Sequence, residues 1–330
     1  MAKNKNQKVK INKQSIRSNK SKKAYKVRNW SEYNESLKQR GSIEVWINEE
    51  SLKNWKAKPS LKPGAQAIYS DLAIQVTLQF GKVFHQKLRQ TEGLIQSVFK
   101  QMAINLPIPD YSTLSRRSGI ITVKVPKESK KGEKMIIVVD STGLKVFGEG
   151  EWKVRQHGYS KRRTWRKAHL GITPDGEIRM ALLTENDVAD CEVIAGLLNQ
   201  EKSDIDSLAG DGSYDKEIVY TACQNKKIKN ILIPPQKNAK IKQHGNLKAE
   251  RHPRDENLRQ IRKIGRKQWK ETVGFHIRSL GETAMFRFKT ILGDKLNARK
   301  FENQITEFLI SASILNRMTA LGMPDSYAVS

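Results

Sequence analysis

Met135-Ile136-Ile137-Val138-Val139-Asp140-Ser141-Thr142-Gly143 carries a strand signal that runs into a carboxylate. Five successive apolar residues, mostly β-branched, predict a fully buried strand. The strand is expected to stop at Asp140. Ser141-Thr142-Gly143 would then turn the chain, and Leu144-Lys145-Val146-Phe147 would return as a second strand. An acid at the rim of a buried strand faces a cleft and suits a metal site for phosphodiester chemistry. It also suits a residue that caps its own turn through the backbone. The segment alone leaves both readings open.

Composition narrows the choice. A chain of 330 residues has room for a large core and two domains. With 37% hydrophobic and 29% charged residues it reads as soluble and mostly globular. No run of about 18 apolar residues is present, so no membrane span is expected. The N-terminus is basic and lacks the apolar segment of a secretory signal. Cys191 and Cys223 are far apart and form no CxxC pair. That argues against a disulfide framework or a cysteine zinc site and suits a reducing cytoplasm. The net charge of +27 calls for a polyanionic partner. Nucleic acid fits better than membrane, because no basic amphipathic helix with a clean apolar face stands out.

Residues 1–29 read as a disordered basic arm. The first 30 residues hold eleven Lys or Arg and no Asp or Glu. Residues 30–123 are expected to form a mainly helical DNA-binding domain. Ser31 is a candidate N-cap, and Ser42-Ile43-Glu44-Val45-Trp46-Ile47 alternates like a strand. Ile68, Leu72, Val76, Phe80, Phe84 and Leu88 recur every four residues and predict one helix face. Thr91 is a candidate cap for a second helix carrying Leu94, Val98 and Met102. Asp110 is a candidate cap for a third, Tyr111 to Arg117, which presents Arg116 and Arg117. A helix, a turn and a short basic helix suit a helix-turn-helix reading a major groove. They equally suit any small helical domain.

Residues 124–134 are polar, with Pro and Gly, and are expected to link to a catalytic domain over 135–325. From Trp152 to Lys167, seven basic residues alternate with aromatics. Lys153, Arg155, Lys161, Arg162 and Arg163 are candidate phosphate contacts there, in a composition that also suits base stacking. The alternative is a solvated hairpin. Ala168–Ile172 and Ile178–Leu183 predict a strand pair around Pro174-Asp175-Gly176. Asp190, ahead of Val193, Ile194, Leu197 and Leu198, reads as a structural N-cap. A short strand from Ile205 is expected to end at Asp211, and Asp215 to cap a helix over Lys216–Asn225. Asn230–Ile233 predicts a strand stopped by Pro234 and Pro235. Residues 236–270 read as a basic, loop-like connection near DNA, and a final helix from about Lys300 to Leu321 as packing on the sheet.

From residue 135 the expected order is strand, strand, strand, helix, strand, helix, strand, helix. That suits an α/β fold: a ribonuclease H-like mixed sheet flanked by helices. Between Phe275 and Lys289, helical spacing puts Arg278, Glu282 and Lys289 on one face, at i, i+4 and i+11. A plain surface ion pair there would contribute only about 0.3–0.5 kcal/mol. Asp140, Asp211 and Glu282 are candidates for one metal site. Three gathered carboxylates would repel by about 4 kcal/mol per close pair at an effective dielectric near 20. Divalent cation removes this. Mg²⁺ prefers oxygen ligands and admits substrate phosphate to its shell. Two such ions roughly 3.5–4 Å apart activate an attacking oxygen and stabilise a leaving one. The expected cofactor is two Mg²⁺ ions, with Mn²⁺ as a substitute.

The motifs together resemble the DDE-class bacterial insertion-sequence transposases, most closely insertion-sequence family five. Asp140-Ser141-Thr142-Gly143 resembles that family's first-Asp motif, and Gly210-Asp211-Gly212-Ser213-Tyr214-Asp215 its second. Arg278-x-x-x-Glu282-x-x-x-x-x-x-Lys289 resembles its Tyr-Arg-Glu-Lys helix. The likeness covers roughly residues 28–320. In one departure, the family's Tyr position holds Phe275, which keeps a ring and lacks the hydroxyl. The resemblance implies a transposase with Asp140, Asp211 and Glu282 as catalytic metal ligands and Arg278 and Lys289 on DNA phosphate. It implies double-stranded DNA partners, both terminal inverted repeats and target. It further implies a homo-oligomer, at least a dimer on DNA, in the bacterial cytoplasm at the nucleoid. Two rivals are a metal nuclease of the same fold that joins no strands, and a DNA-binding regulator that cuts nothing.

If the charge serves DNA and neutralises roughly 6–10 phosphates, duplex affinity falls by about 10³–10⁵ between 50 and 200 mM salt. Fluorescence anisotropy titrations at the two salt concentrations measure this. A change smaller than about tenfold would contradict the polyanion reading.

Overall fold

The computed structural model describes residues 24–59, 63–125, 135–146, 165–243 and 251–329. The expected linker 124–134 and the basic segment 152–164, with Lys153, Arg155, Lys161, Arg162 and Arg163, lie wholly or almost wholly outside these residues. β1 (Ala24–Val27) pairs antiparallel with β8 (Ser326–Val329), so the last part of the expected arm is a strand tied to the C-terminal segment.

Six helices follow: α1 (Trp30–Gln39), α2 (Ile43–Trp46), α3 (Glu49–Lys53), α4 (Asp71–Val83), α5 (Leu88–Gln101) and α6 (Tyr111–Arg117). Asn29, not Ser31, occupies the N-cap of α1, and it makes no side-chain cap. Its amide instead bridges Met323 O and Asp325 N. The alternation at 42–47 resolves as a helical turn. Over so few residues both periods fit, and burying the neighbours Trp46 and Ile47 together favours the helix. Ile68 is exposed because α4 starts only after Ser70, whose Oγ accepts from Ala73 N at 3.0 Å. Thr91 lies inside α5 and bonds back to Lys87 O. Asp110 caps α6 as expected, accepting from Ser112 N at 2.8 Å and Thr113 N at 2.9 Å. The α5–α6 connection, residues 102–110, is longer than the turn of a helix-turn-helix.

The central sheet runs β4 (Ile178–Glu185), β3 (Trp165–Ile172), β2 (Met135–Val146), β5 (Ile205–Ala209), β6 (Asn230–Leu232). β3 runs antiparallel to both β2 and β4, whereas β5 and β6 continue parallel to β2. This mixed order, with helices on both faces, is ribonuclease H-like. β2 is one strand through Val146, and no turn forms at 141–143. β3 pairs straight across those residues, with Asp140 opposite Leu170 and Gly143 opposite Lys167, so the ladder satisfies their backbone groups.

Two clusters fill the faces. Ile137, Val139 and Met180 pack with α7 (Ile194–Asn199) and α8 (Glu217–Asn225). On the other face, Leu170 and Ile172 share a cluster with Phe288 of α11 (Ser279–Leu292) and Phe308 of α12 (Phe301–Leu321). Trp46, Trp55, Phe80 and Phe99 of the N-terminal region belong to that same cluster. Gln79 Nε2 donates to Ser313 Oγ at 2.7 Å within it. Neither Asp190 nor Asp215 caps a helix: Val193 and Lys216 hold the cap positions of α7 and α8. Within the expected loop 236–270, residues 236–243 are irregular as expected, but from Pro253 on the chain is helical. It forms α9 (Pro253–Ile264) and α10 (Arg266–Thr272), which bury Leu258 and Trp269. Their few apolar residues are diluted by charge, and long-range contacts supply what periodicity lacks. Asp255 Oδ2 accepts Lys242 N and Gln243 N, and Arg254 pairs with the buried Asp215 at 2.8 Å. Among the described residues no helix is long and apolar enough to cross a membrane.

Asp110→Ala removes a cap that closes two backbone donors and should cost about 1 kcal/mol of stability. Urea melts of the full chain measure it. A loss indistinguishable from zero would mean that α6 is held by packing alone.

Candidate active site

The site forms where β2 lacks a strand neighbour. β5 accompanies β2 only to Val138, and β7 (Lys295–Leu296) joins only at Lys145. Between them a 3-10 turn, Phe275–Arg278, and the start of α11 cover the open edge. Gly274 begins that turn at φ 68°, a conformation glycine adopts without strain.

Asp140 is half-buried in mid-strand, and its Oδ1 accepts Ser141 N at 2.9 Å. Burial pushes its carboxyl up, against the Ser141 N–H and the Arg278 charge. Asp211 and Glu282 push it further up. Asp211 and Glu282 are therefore both within electrostatic reach of Asp140. Asp211 follows β5 and caps the 3-10 turn Gly212–Tyr214. Its Oδ1 accepts Ser213 N at 2.8 Å and a short bond from Ser213 Oγ. Its Oδ2 faces Arg278 Nη2 at 3.9 Å. Glu282, in the first turn of α11, accepts Arg278 Nη1 at 2.7 Å and is 62% exposed. Arg278 thus stands between two of the acids. Among the described residues, no three His, Cys, Asp or Glu side chains converge closely enough to hold an ion as they stand.

Close approach of α11 depends on Gly281. A Cβ there would lie 3.1 Å from both Asp140 Cβ and Asp140 Oδ2, and 3.3 Å from Val138 Cγ1. Phe275 is buried against Trp269, with Lys270 Nζ 5.1 Å from its ring centroid. Its ring ties the α9–α10 insert to the site.

The predicted cations are distributed differently. Lys289 is half-buried, two helical turns beyond Glu282. Arg116 is exposed at the end of α6. Arg117 is engaged by Asp71 and by Tyr69 O. Sequence reading missed a group behind Asp211. Asp190 lies within 3.4 Å of Ser213 Oγ, 3.3 Å of Lys167 Nζ and 3.7 Å of His169 Nδ1. Lys167 and His169 alternate along β3, a spacing that places them on one face and was the available signal. Tyr214 is buried beside them. Burial raises its hydroxyl pKa, and Asp190, Asp140 and Asp211 raise it further.

The chain matches a family model described as "Transposase DDE domain" over residues 131–317, and a second model of the same description over residues 38–149. The first spans β2 to α12 and includes all three acids.

Gly281→Ala sets two effects against each other. Alanine favours a helix interior by about 1 kcal/mol, and the crowded Cβ forces α11 off Asp140 by a few tenths of an ångström. Stability should change by less than about 1 kcal/mol while end cleavage falls about tenfold or more. Thermal melts and a cleavage time course separate the two. Unchanged cleavage would show that α11 need not sit this close.

Proposed function

Because the chain belongs to the DDE transposase family, we propose that Asp140, Asp211 and Glu282 hold its catalytic metal, with two Mg²⁺ ions in the working site and Mn²⁺ as a substitute. The activity is that of a transposase, which cleaves the ends of a mobile element and joins them to DNA. The observation that supports this site is the company of Asp140. Burial and two nearby carboxylates raise its pKa, opposed within the protein by one N–H and one arginine. Such a cluster is stabilised by added cation.

The donor set fits a hard divalent ion, since it offers carboxylate oxygens only. Asp211 Oδ1 is taken up by Ser213, which leaves Oδ2 towards the site. Glu282 is exposed, so side-chain rotation frees it from Arg278. When bound, the metal supplies Lewis-acid stabilisation of the attacking and leaving oxygens. The protein's own part is placement and charge. β2 fixes Asp140 rigidly, and Gly281 brings Glu282 alongside. Arg278, released from Glu282, takes a phosphate of the scissile strand, with Lys289 further along α11. Arg116 and the basic segment containing Lys153, Arg155, Lys161, Arg162 and Arg163 extend the phosphate track. Arg117, held by Asp71, serves the fold of the N-terminal helices. In cleavage, a water oxygen bonds to phosphorus as the bond to the 3′ oxygen breaks, leaving a 3′-hydroxyl. In joining, that hydroxyl oxygen bonds to the phosphorus of a target phosphodiester as the target's own bond to its 3′ oxygen breaks, leaving a 3′-hydroxyl on the target strand. The DNA ends are terminal inverted repeats, paired by at least a dimer, as in the insertion-sequence family five pattern that the motifs resemble.

Asp140→Asn and Glu282→Gln should retain binding to the element ends and lose cleavage by at least about 10²–10³-fold. Gel shifts without metal and cleavage assays with Mg²⁺ test both halves. Wild-type cleavage by either variant would overturn the ligand assignment.

A further inference from the structure

We propose that Asp190 is a positioning residue for Asp211, acting through the Ser213 hydroxyl, with Lys167 and His169 holding it in place behind the sheet. The inference rests on the reading of Asp211 as a metal ligand.

Asp190 has no capping duty to explain it, since α7 begins at Ile194 after Val193. Its side chain is 19% exposed and faces Lys167 Nζ at 3.3 Å. Lys167 also donates to Val188 O at 2.7 Å, which pins the loop that carries Asp190. His169 is fully buried, and its Nε2 contacts Thr184 Oγ1 at 2.9 Å. Burial lowers its pKa to about 4, so near neutral pH the ring is uncharged and Lys167 alone balances Asp190. Strand register puts this group on the face opposite the Asp140 side chain. His169 pairs with Ser141 and Lys167 with Gly143, whereas Asp140 pairs with Leu170. The group therefore supports the site from behind and does not line it.

Two buried polar atoms in this region, His169 Nδ1 and Tyr214 Oη, have no hydrogen-bond partner among the described residues, and Asp190 Oδ1 is met by the Lys167 ion pair at 3.3 Å. Each such atom costs roughly 1–3 kcal/mol. What the acid does is visible at Ser213. The hydroxyl stands between two carboxylates, and its single hydrogen is shared between Asp211 Oδ1, the nearer acceptor, and Asp190 Oδ2 at 3.4 Å. Asp190 draws the Ser213 side chain into that line and holds its rotamer. Asp211 Oδ1 is then saturated by Ser213 N and Oγ, and Oδ2 is left facing the site beside Arg278. Neutralisation by Lys167 keeps Asp190 from repelling Asp211.

The test uses the full chain carrying D190N, S213A, both together, or D211N. Mn²⁺ binding to the DNA-free protein is followed by electron paramagnetic resonance, and the Mg²⁺ dependence of end cleavage is measured alongside. D190N and S213A should each weaken Mn²⁺ binding and raise the half-maximal Mg²⁺ concentration by about tenfold. The double variant should be no worse than either single one, because both act on the same link. Wild-type Mn²⁺ affinity in D190N, or effects that multiply in the double variant, would overturn the proposal. Should D190N fail to fold, the exposed S213A carries the test alone, and unchanged Mn²⁺ affinity there is equally fatal. D211N separates the two levels. If it keeps metal binding and cleavage, the ligand reading itself fails. If it loses both while D190N and S213A behave as wild type, only the positioning role fails.

Discussion

The Asp140 carboxylate is half-buried on a central strand, within reach of Asp211 and Glu282, and its pKa is raised as a result. Two charges about 4 Å apart at an effective dielectric near 20 interact by about 4 kcal/mol, comparable to much of a domain's net stability. The surrounding structure limits that cost at each acid. Ser141 N–H serves Asp140, Ser213 serves Asp211, and Arg278 reaches both Glu282 and Asp211. What remains is a cluster of carboxylates in a protein whose net charge is +27.

Backbone geometry keeps the acids apart in sequence and together in space. β2 outruns β5, which exposes its edge from residue 139 to 144. A helix crosses that edge with a glycine at the contact, so Glu282 comes in from the side. The α9–α10 insert is bound to the same region. Arg254 meets Asp215 four residues after Asp211, Tyr220 also donates to Asp215, and Phe275 packs on Trp269. These contacts tie the insert to the loops that carry Asp211 and Arg278. On the opposite side, the N-terminal helices share a core with α12, and Lys82 pairs with Glu307 at 3.0 Å. Arg116 is held by this packing at a fixed relation to the sheet.

Several local errors in the sequence reading have one origin. The turn expected at Ser141–Gly143 is suppressed by β3, the strand expected at 42–47 becomes a helix through burial of Trp46, and Asn29 prefers distant backbone to its own helix. In each case a short segment satisfies two local rules, and a partner remote in sequence selects between them. Asp190 and Asp215 are the same case with functional weight. Both sit at positions that suit a helix cap, and both turn to charged partners on other elements.

Most strand and helix patterning, three candidate acids at 140, 211 and 282, and the excess of positive charge were readable along the chain, because each depends on residue type and near spacing. The ribonuclease H-like order followed from the sequence of elements. Tertiary structure alone decided that β2 runs unbroken past Asp140 and that Arg278 stands between two acids. It also decided that Asp190, Lys167 and His169 gather behind Asp211. These depend on strand register and on contacts between residues 20 to 67 positions apart, where the energy lies in desolvation and pairing of charge and no local period records it.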